Sequence, residues 1–206
     1  KYFPRAELPV AFFYADSPSG AEEAREGAER RCFIGDLVKV RRGQALAFSV
    51  KSVGCFGGRR YLGFSQEIMP NFEYFLSCGI PGQLEGERYK KSPELVKRAM
   101  ERMSTFEAPA KYIVFKRWDQ LAAGDEPEAV IFFAPPDVLA GLFTLANFDE
   151  AEPAVVAPFA AGCGSIVHYP HLESGKEHPR AILGMFDVSA RPYVEEGVLS
   201  FAVPIG

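Results

Sequence analysis

The sequence contains no apolar run that approaches 18 residues, so no membrane-spanning helix is predicted. Its first residues lack a continuous apolar stretch, and no secretory signal peptide is expected. An excess of positive charge is also missing, because the formal net charge is −4 over 206 residues. That balance argues against a nucleic-acid-binding surface. We therefore expect a cytoplasmic protein without a membrane or nucleic-acid partner.

Cysteine is scarce and dispersed, with four residues and no C-x-x-C pair. The missing pair removes support for a zinc ribbon. Four cysteines in a chain that is long enough to bury a large core do not indicate a disulfide framework, so reduced thiols are expected. Histidine is scarcer still, because all three residues lie within Ala160–Arg180. Any imidazole chemistry must therefore involve that segment.

Nucleotide-binding motifs are absent, although the segment Ser52–Phe64, "SVGCFGGRRYLGF", resembles a phosphate loop in composition. It lacks the Lys-Ser/Thr ending of a Walker loop and the glycine spacing of a dinucleotide fingerprint. Gly57, Gly58 and Arg59 could still form a small anion-binding nest. The alternative, which we favour, is a link from a strand into a tight turn in which Gly57 and Gly58 adopt positive φ.

The apolar pattern predicts about six strands and five helices without strict βαβ alternation. This favours an α+β fold, with a mixed or mainly antiparallel sheet, in a single domain over residues 1–206. The first few residues could form an extended arm. Ser92–Phe106 is the clearest helix, with Ser92 as N-cap and Pro93 in the first turn. Glu22–Arg31 is polar but helix-prone.

The strands are predicted from apolar runs at Leu8–Ala15, Ala45–Val50, Lys111–Trp118, Ala129–Ala134, Ala154–Ala157, Ala181–Phe186 and Val198–Ile205. Further helices are predicted at Cys32–Gly43, at Pro70–Gly79, at Pro136–Phe148 and from near Pro158 or Gly162.

Three cysteines are the leading candidates for ligand or metal binding. Cys32, Cys55 and Cys163 are each flanked by glycine or arginine. Glycine permits close approach of a cofactor, and a nearby arginine lowers a thiol pKa. If these thiols converge, they could bind an iron–sulfur cluster or another soft metal. The alternative is burial as small apolar residues.

His168 is the fourth candidate for ligand or metal binding. Its Cys-x4-His spacing would place it near the same side of a helix as Cys163, and a Cys–His pair is the minimum for an activated thiol. His171 and His178 lie in a polar Gly/Pro-containing segment and are expected to be solvated.

A polar pair follows the run Ala181–Phe186. Asp187 and Arg191 could pair or bind a polar ligand at the strand end; alternatively Asp187 caps a turn and Arg191 is on the surface. Glu87 and Tyr89 fall in a charge-rich segment that we interpret as a solvated loop, although both could face a cleft.

The order of several short motifs resembles the uncharacterised ArCR family of bacteria and archaea, domain-of-unknown-function family 169. The motifs are "LPVAFFYA", "RRC", "VGCFGGRRYLGF", "YKKSPELV", "AVIFFAPPDVLAGL", "PFAAGCGSIVHYP", "GMFDVSARPY" and "LSFAVP". The resemblance spans about Leu8 to Pro204 and implies a single-domain soluble prokaryotic protein without an established activity. The family pattern has cysteines matching Cys32, Cys55 and Cys163 and an Asp–Arg pair like Asp187 and Arg191. Cys78 lies outside that pattern.

These observations support two classes of function. The first is a cysteine-lined site for a metal, an iron–sulfur cluster or a small ligand, with anionic ligands held by the arginines. The alternative is a non-catalytic small-molecule-binding or interaction module with structural cysteines. A homo-oligomer built on the Phe-rich surface belongs to this alternative. The residues leave open whether the protein is an enzyme.

Overall fold

The computed structural model describes residues 6–26 and 32–205, and an eight-stranded sheet lies at its centre. The strands are β1 (Val10–Ala15), β2 (Glu22–Glu23), β3 (Leu46–Phe48), β4 (Tyr112–Arg117), β5 (Ala129–Ala134), β6 (Val155–Val156), β7 (Ala181–Gly184) and β8 (Leu199–Pro204). Their order across the sheet is β2-β3-β4-β1-β5-β8-β7-β6. The β2–β3 and β6–β7 pairs are parallel, and the other neighbouring pairs are antiparallel. The predicted α+β class with a mixed sheet is confirmed.

The described residues also form six α-helices and one π-helix. The α-helices are α1 (Ile34–Arg41), α2 (Phe56–Tyr61), α3 (Phe72–Phe75), α4 (Pro93–Glu101), α5 (Pro136–Ala146) and α6 (Tyr169–Ser174). The π-helix, Gly164–His168, leads directly into α6. Ser92 caps α4 as predicted, since its hydroxyl accepts the N–H of Leu95, although the helix ends at Glu101. None of these helices is long and apolar enough to cross a bilayer.

Alternation along the central strands divides the core between the two faces of the sheet. One face carries large buried rings, and Phe12 of β1 lies opposite Phe115 of β4 with ring centroids 5.8 Å apart. The main cluster on this face also contains residues of α1 and of the π-helix. On the other face, Leu139 of α5 packs with Phe201 of β8. The π-helix is therefore held directly against the main core.

Two local predictions are wrong. Glu22–Glu23 forms strand β2 rather than a helix, because its backbone pairs with β3 in a register that places Glu22 opposite Leu46. The segment Ser52–Phe64 contains helix α2 rather than a simple turn, and the glycine with positive φ is Gly63, at +76°, after that helix. Gly57 and Gly58 are helical. The proposed arm at residues 1–5 and the helix-prone residues 27–31 lie outside the described residues.

Candidate functional site

The three candidate cysteines occupy similar positions, each just before a helix. Cys55 is the N-cap of α2, and Cys163 directly precedes the π-helix. Cys32 lies two residues before α1, and its carbonyl accepts the N–H of Gly35. Cys32 and Cys55 are partly exposed, whereas Cys163 is buried at 7% exposure. Three distant segments thus supply thiols that lie close to the start of a helix.

One of these sulfurs accepts a backbone N–H group from the turn that follows it. The N–H of Gly58 lies 3.1 Å from Cys55 Sγ. At the other two cysteines, the backbone of Ile34 and of Gly164 lowers the pKa of Cys32 and Cys163 respectively, against the larger effect of burial, which raises both.

The thiols and Asp187 share one electrostatic neighbourhood. Burial raises the pKa of Cys163 well above its usual value, and negative charge on Cys55, Cys32 and Asp187 raises it further. Burial likewise raises the pKa of Cys32 to about 11, with added contributions from the charges of Cys55, Asp187 and Asp36. Cys32 and Cys163 are therefore protonated at neutral pH in the absence of a bound cation.

Asp187 is fixed beside Cys163 by three hydrogen-bond donors. Its Oδ2 accepts the N–H of Gly162 at 3.0 Å. Its Oδ1 accepts the hydroxyl of Tyr89 at 2.5 Å and the N–H of Ser189 at 3.0 Å. Tyr89 was predicted to lie in a solvated loop or to face a cleft, and it contacts the site from 98 residues away in sequence. Sequence patterns carry no signal for this contact.

Close packing explains the glycine at the centre of α2. A Cβ at Gly58 would lie 2.7 Å from Val53 Cγ1 and 2.8 Å from Cys55 Sγ. Gly57 has open space around it, so it is not required by packing. The side chain of Arg59 turns back, and its Nε donates to the carbonyl of Val53 at 2.7 Å. The anion-binding role of Gly57, Gly58 and Arg59 stays a prediction.

The second arginine also contacts backbone carbonyls. Arg191 donates to Val198 at 2.5 Å and to Glu195 at 3.3 Å, so it bridges the ends of a loop. Asp187 instead accepts from Tyr89, Gly162 and Ser189, as described above. A polar-ligand role for Asp187 and Arg191 stays a prediction.

His168 lies in a cluster of aromatic rings. Its ring lies 5.4 Å from Tyr61, 5.5 Å from Phe106 and 5.2 Å from Tyr169, between centroids. The side chain is 1% exposed, and neither ring nitrogen makes a hydrogen bond within the described part of the chain. The predicted ligand role of His168 is untested.

The other two histidines have different environments. His171 Nδ1 lies 2.6 Å from Glu128 Oε2, and the Phe106 ring covers the imidazole at 4.0 Å between centroids. His171 is thus half-buried rather than solvated, whereas His178 is exposed as expected.

We expect the stability of the protein to depend on pH through His168. Burial lowers the pKa of His168 to about 4, with Arg60 and His171 adding to the effect and the Ser104 backbone opposing it. The unfolded chain therefore binds the proton more tightly, and stability is lost as the pH falls from about 6.5 towards 4. The free energy of unfolding should fall by about 2 kcal/mol between about pH 7 and pH 5 from this group alone.

The matched variant is His168→Phe, which keeps an aromatic ring in the cluster but cannot titrate. Urea unfolding at the two pH values should show a smaller loss in the free energy of unfolding for this variant than for the unmodified protein. Equal losses in the two proteins would contradict the assignment of the pH dependence to His168.

No metal geometry is preformed in this conformation. Within residues 6–26 and 32–205, no three His, Cys, Asp or Glu side chains are placed to hold one ion together. Two cavities of about 340 Å³ and 250 Å³ exist elsewhere, and neither is lined by a cysteine. A metal ion at the thiols would therefore require a change in the side-chain positions.

Comparison with known proteins places the chain in a family. The model of the uncharacterised ArCR family, domain-of-unknown-function family 169, matches residues 6–206. The chain belongs to this family, as the sequence motifs suggested. None of the curated proteins and none of the solved structures is significantly similar to it.

Proposed function

As the chain belongs to a family without an established activity, we propose its function from the site itself: it binds a thiophilic metal centre through Cys32, Cys55 and Cys163. The observation that carries this proposal is the electrostatic coupling of the thiols. Burial is the main cause of the raised pKa of Cys163, and charge on Cys55, Cys32 and Asp187 raises it further. Four groups that can become anions are therefore close together, and a bound cation would relieve their mutual repulsion.

The protonation state of the thiols favours metal binding over thiol catalysis. A nucleophilic cysteine needs a lowered pKa, because the thiolate is the reactive form. Cys163 is buried and its pKa is raised, and that of Cys32 is raised to about 11. A metal ion displaces the thiol protons on binding, so a high thiol pKa makes metal affinity strongly pH-dependent rather than excluding it.

The N–H group at Cys55 supports the same proposal. Hydrogen bonds to thiolate sulfurs tune metal and iron–sulfur centres. Cys55 Sγ accepts such a bond from Gly58 at 3.1 Å. The backbone of Ile34 and of Gly164 also lowers the pKa of Cys32 and Cys163, against the larger effect of burial.

The proposal is tested with Co²⁺, which reports thiolate ligands by a charge-transfer band in the near ultraviolet. Reduced protein purified without oxygen should bind about one Co²⁺ ion and release protons as it does so. Cys55→Ser and Cys163→Ser should each weaken binding by more than ~100-fold, because a direct ligand is lost. Iron and acid-labile sulfide in the protein as purified would identify a cluster, whereas zinc alone would identify a single ion.

Cys78 provides the matched control. It is exposed, and its sulfur lies near Ser77 and Gly79 rather than near the other thiols. Cys78→Ser should bind Co²⁺ as the unmodified protein does. Absence of Co²⁺ binding by the reduced protein, or binding that survives the loss of both Cys55 and Cys163, would refute the metal proposal.

A small-molecule site remains the second candidate because of the apolar surface around the thiols. Phe56 follows Cys55 and is 49% exposed, while Phe186 and Val188 flank Asp187 and are 52% and 62% exposed. Exposed apolar side chains beside a polar site are typical of ligand-binding surfaces. Protection of Cys55 from alkylation by a bound small molecule, in metal-free protein, would favour this candidate.

A further inference from the structure

The larger of the two cavities combines an apolar lining with a buried cation. It has a volume of about 340 Å³ and lies between the segment before β1, the end of α1 and the start of α5. Within the described part of the chain ten residues line it, and seven of them have apolar side chains, among them Phe132 and Phe133. The charged lining residues are Glu7, Arg41 and Asp137. A space of this size with few charged groups is typical of a small-molecule site.

Arg41 is the charged group that a ligand in this cavity would meet. Its side chain is only 7% exposed, and its guanidinium carbon lies 5.1 Å from the centre of the Phe133 ring. Nε donates to Glu7 Oε2 at 2.8 Å, and Nη2 lies 2.7 Å from the same oxygen. Nη1 donates to Glu195 Oε2 at 2.5 Å. Two carboxylates that are far apart in the chain therefore share one buried cation.

The two carboxylates differ in their relation to the cavity. Among the described residues Glu7 lines the cavity, whereas Glu195 does not. Glu7 belongs to a segment without regular secondary structure before β1, and its side chain is 52% exposed. Because this side chain is already half solvated, its transfer from Arg41 into water costs little. Glu7 thus marks the position on the cavity side of Arg41 at which the carboxylate of a ligand would bind.

We propose that this cavity binds a small monocarboxylic acid with an apolar body, and that the ligand carboxylate replaces the Glu7 carboxylate on Arg41. The exchange leaves the charge around Arg41 unchanged, because one carboxylate takes the place of another. The apolar body is removed from water against Phe132 and Phe133, which favours binding. Asp137 is exposed and lines the same cavity, so it would repel a second negative charge on the ligand. The site is independent of the proposed thiol centre, because no cysteine of the described residues lines it.

Three eight-carbon probes test the chemistry of the ligand by isothermal titration calorimetry at neutral pH: octanoate, octanol and octanedioate. Octanoate should bind about 10-fold more tightly than octanol, because it makes hydrogen bonds between charged groups with Arg41. Octanedioate should bind more weakly than octanoate, because its second carboxylate would face Asp137. Equal affinities for octanoate and octanol, or absence of octanoate binding, would overturn the proposal.

Glu7→Gln tests whether the Glu7 carboxylate competes with the ligand. Removal of its charge should strengthen octanoate binding by about 10-fold and leave octanol binding unchanged. Glu195→Gln is the matched variant, because the Glu195 carboxylate also pairs with Arg41 but does not line the cavity within the described residues. It should give a smaller gain. Equal gains in the two variants would show a general effect of charge and would contradict a direct exchange at the position of Glu7.

Two further variants locate the ligand. Arg41→Gln should lower the affinity for octanoate to that for octanol, and it should fold because the two carboxylates left behind are 52% and 49% exposed. Val138→Trp fills part of the cavity and should weaken the binding of octanoate and octanol alike. Thr144→Trp is its control on an exposed position of α5 and should weaken neither. Octanoate binding that is unchanged in Arg41→Gln or in Val138→Trp would overturn the assignment of the ligand to this cavity.

Discussion

Replacing Asp125 by alanine is expected to destabilise the protein by about 3–5 kcal/mol, because it leaves a buried lysine without its partner. Lys116 Nζ lies 2.7 Å from Asp125 Oδ2, and both side chains are only 6% exposed. The same oxygen accepts the N–H of Ala122 at 2.8 Å, so the substitution removes two hydrogen bonds at once. Urea unfolding should show a lower midpoint with an unchanged dependence on denaturant.

Two further variants distinguish the effect of an unpaired buried charge on stability from a general effect of changing the loop. Asp119→Ala removes a carboxylate from an exposed pair with Arg117, so the unfolding midpoint should be almost unchanged. Replacing both partners, as in Lys116→Met with Asp125→Leu, should restore much of the lost stability, because no charge is then left buried. Two results would contradict a large effect of the buried ion pair on stability. One is an unfolding midpoint for Asp125→Ala equal to that for Asp119→Ala, and the other is a double replacement as unstable as Asp125→Ala alone.

Local patterns predicted most of the sheet because strands that are buried on both faces form continuous apolar runs in the sequence. The strands around Phe12, Phe115 and Ile131 carry long apolar runs, and each was identified from its own residues. Strand β2 has no such signal. Glu22 and Glu23 are exposed, and their extended conformation comes from pairing with Leu46 and Ala47, more than 20 residues away.

Helix α2 and the π-helix escaped prediction for different reasons. The sequence of α2 includes Gly57 and Gly58, and glycine disfavours helix formation. The helix nevertheless forms with Cys55 as its cap, and only glycine at position 58 fits against Val53. A π-helix has a longer turn than the 3.6-residue period on which helical patterns rest, so its residues were assigned to an ordinary helix.

Residue type identified the candidate site only in part. The cysteines were selected for their chemistry and their glycine neighbours. The electrostatic interaction between Cys32 and Cys163 depends on the fold, because the two residues are 131 positions apart in the chain. Tyr89 could not be ranked above other tyrosines, because only the fold brings its hydroxyl to Asp187.

We expect Gly184→Ala to destabilise the protein more than any other added methyl group on the side of the π-helix that faces the sheet. A Cβ at Gly184 would lie 2.1 Å from Ser165 Cβ and 2.2 Å from Ser165 Oγ. That hydroxyl donates to the carbonyl of Gly162 at 2.9 Å and accepts the N–H of Met185 at 3.2 Å. Because the overlap displaces Ser165 and breaks these hydrogen bonds, we expect a loss of about 3 kcal/mol in the free energy of unfolding.

Gly175→Ala is the matched control, because a Cβ there meets nothing within 4 Å and φ is −86°. It should leave stability unchanged or raise it by up to ~1 kcal/mol. Adding Ser165→Gly to Gly184→Ala removes the overlapping side chain and should recover part of the loss. Urea midpoints that are equal for Gly184→Ala and Gly175→Ala would contradict the close contact between β7 and the π-helix.

The same substitution connects the fold to the proposed site. Cys163 directly precedes the π-helix, and Ser165 is its second residue. Moving Ser165 away from β7 therefore moves Cys163 relative to Asp187, whose Oδ2 is fixed to Gly162. We expect folded Gly184→Ala to bind Co²⁺ more weakly than Gly175→Ala, measured below the onset of unfolding. Equal affinities would mean that the position of the π-helix does not control the thiol site.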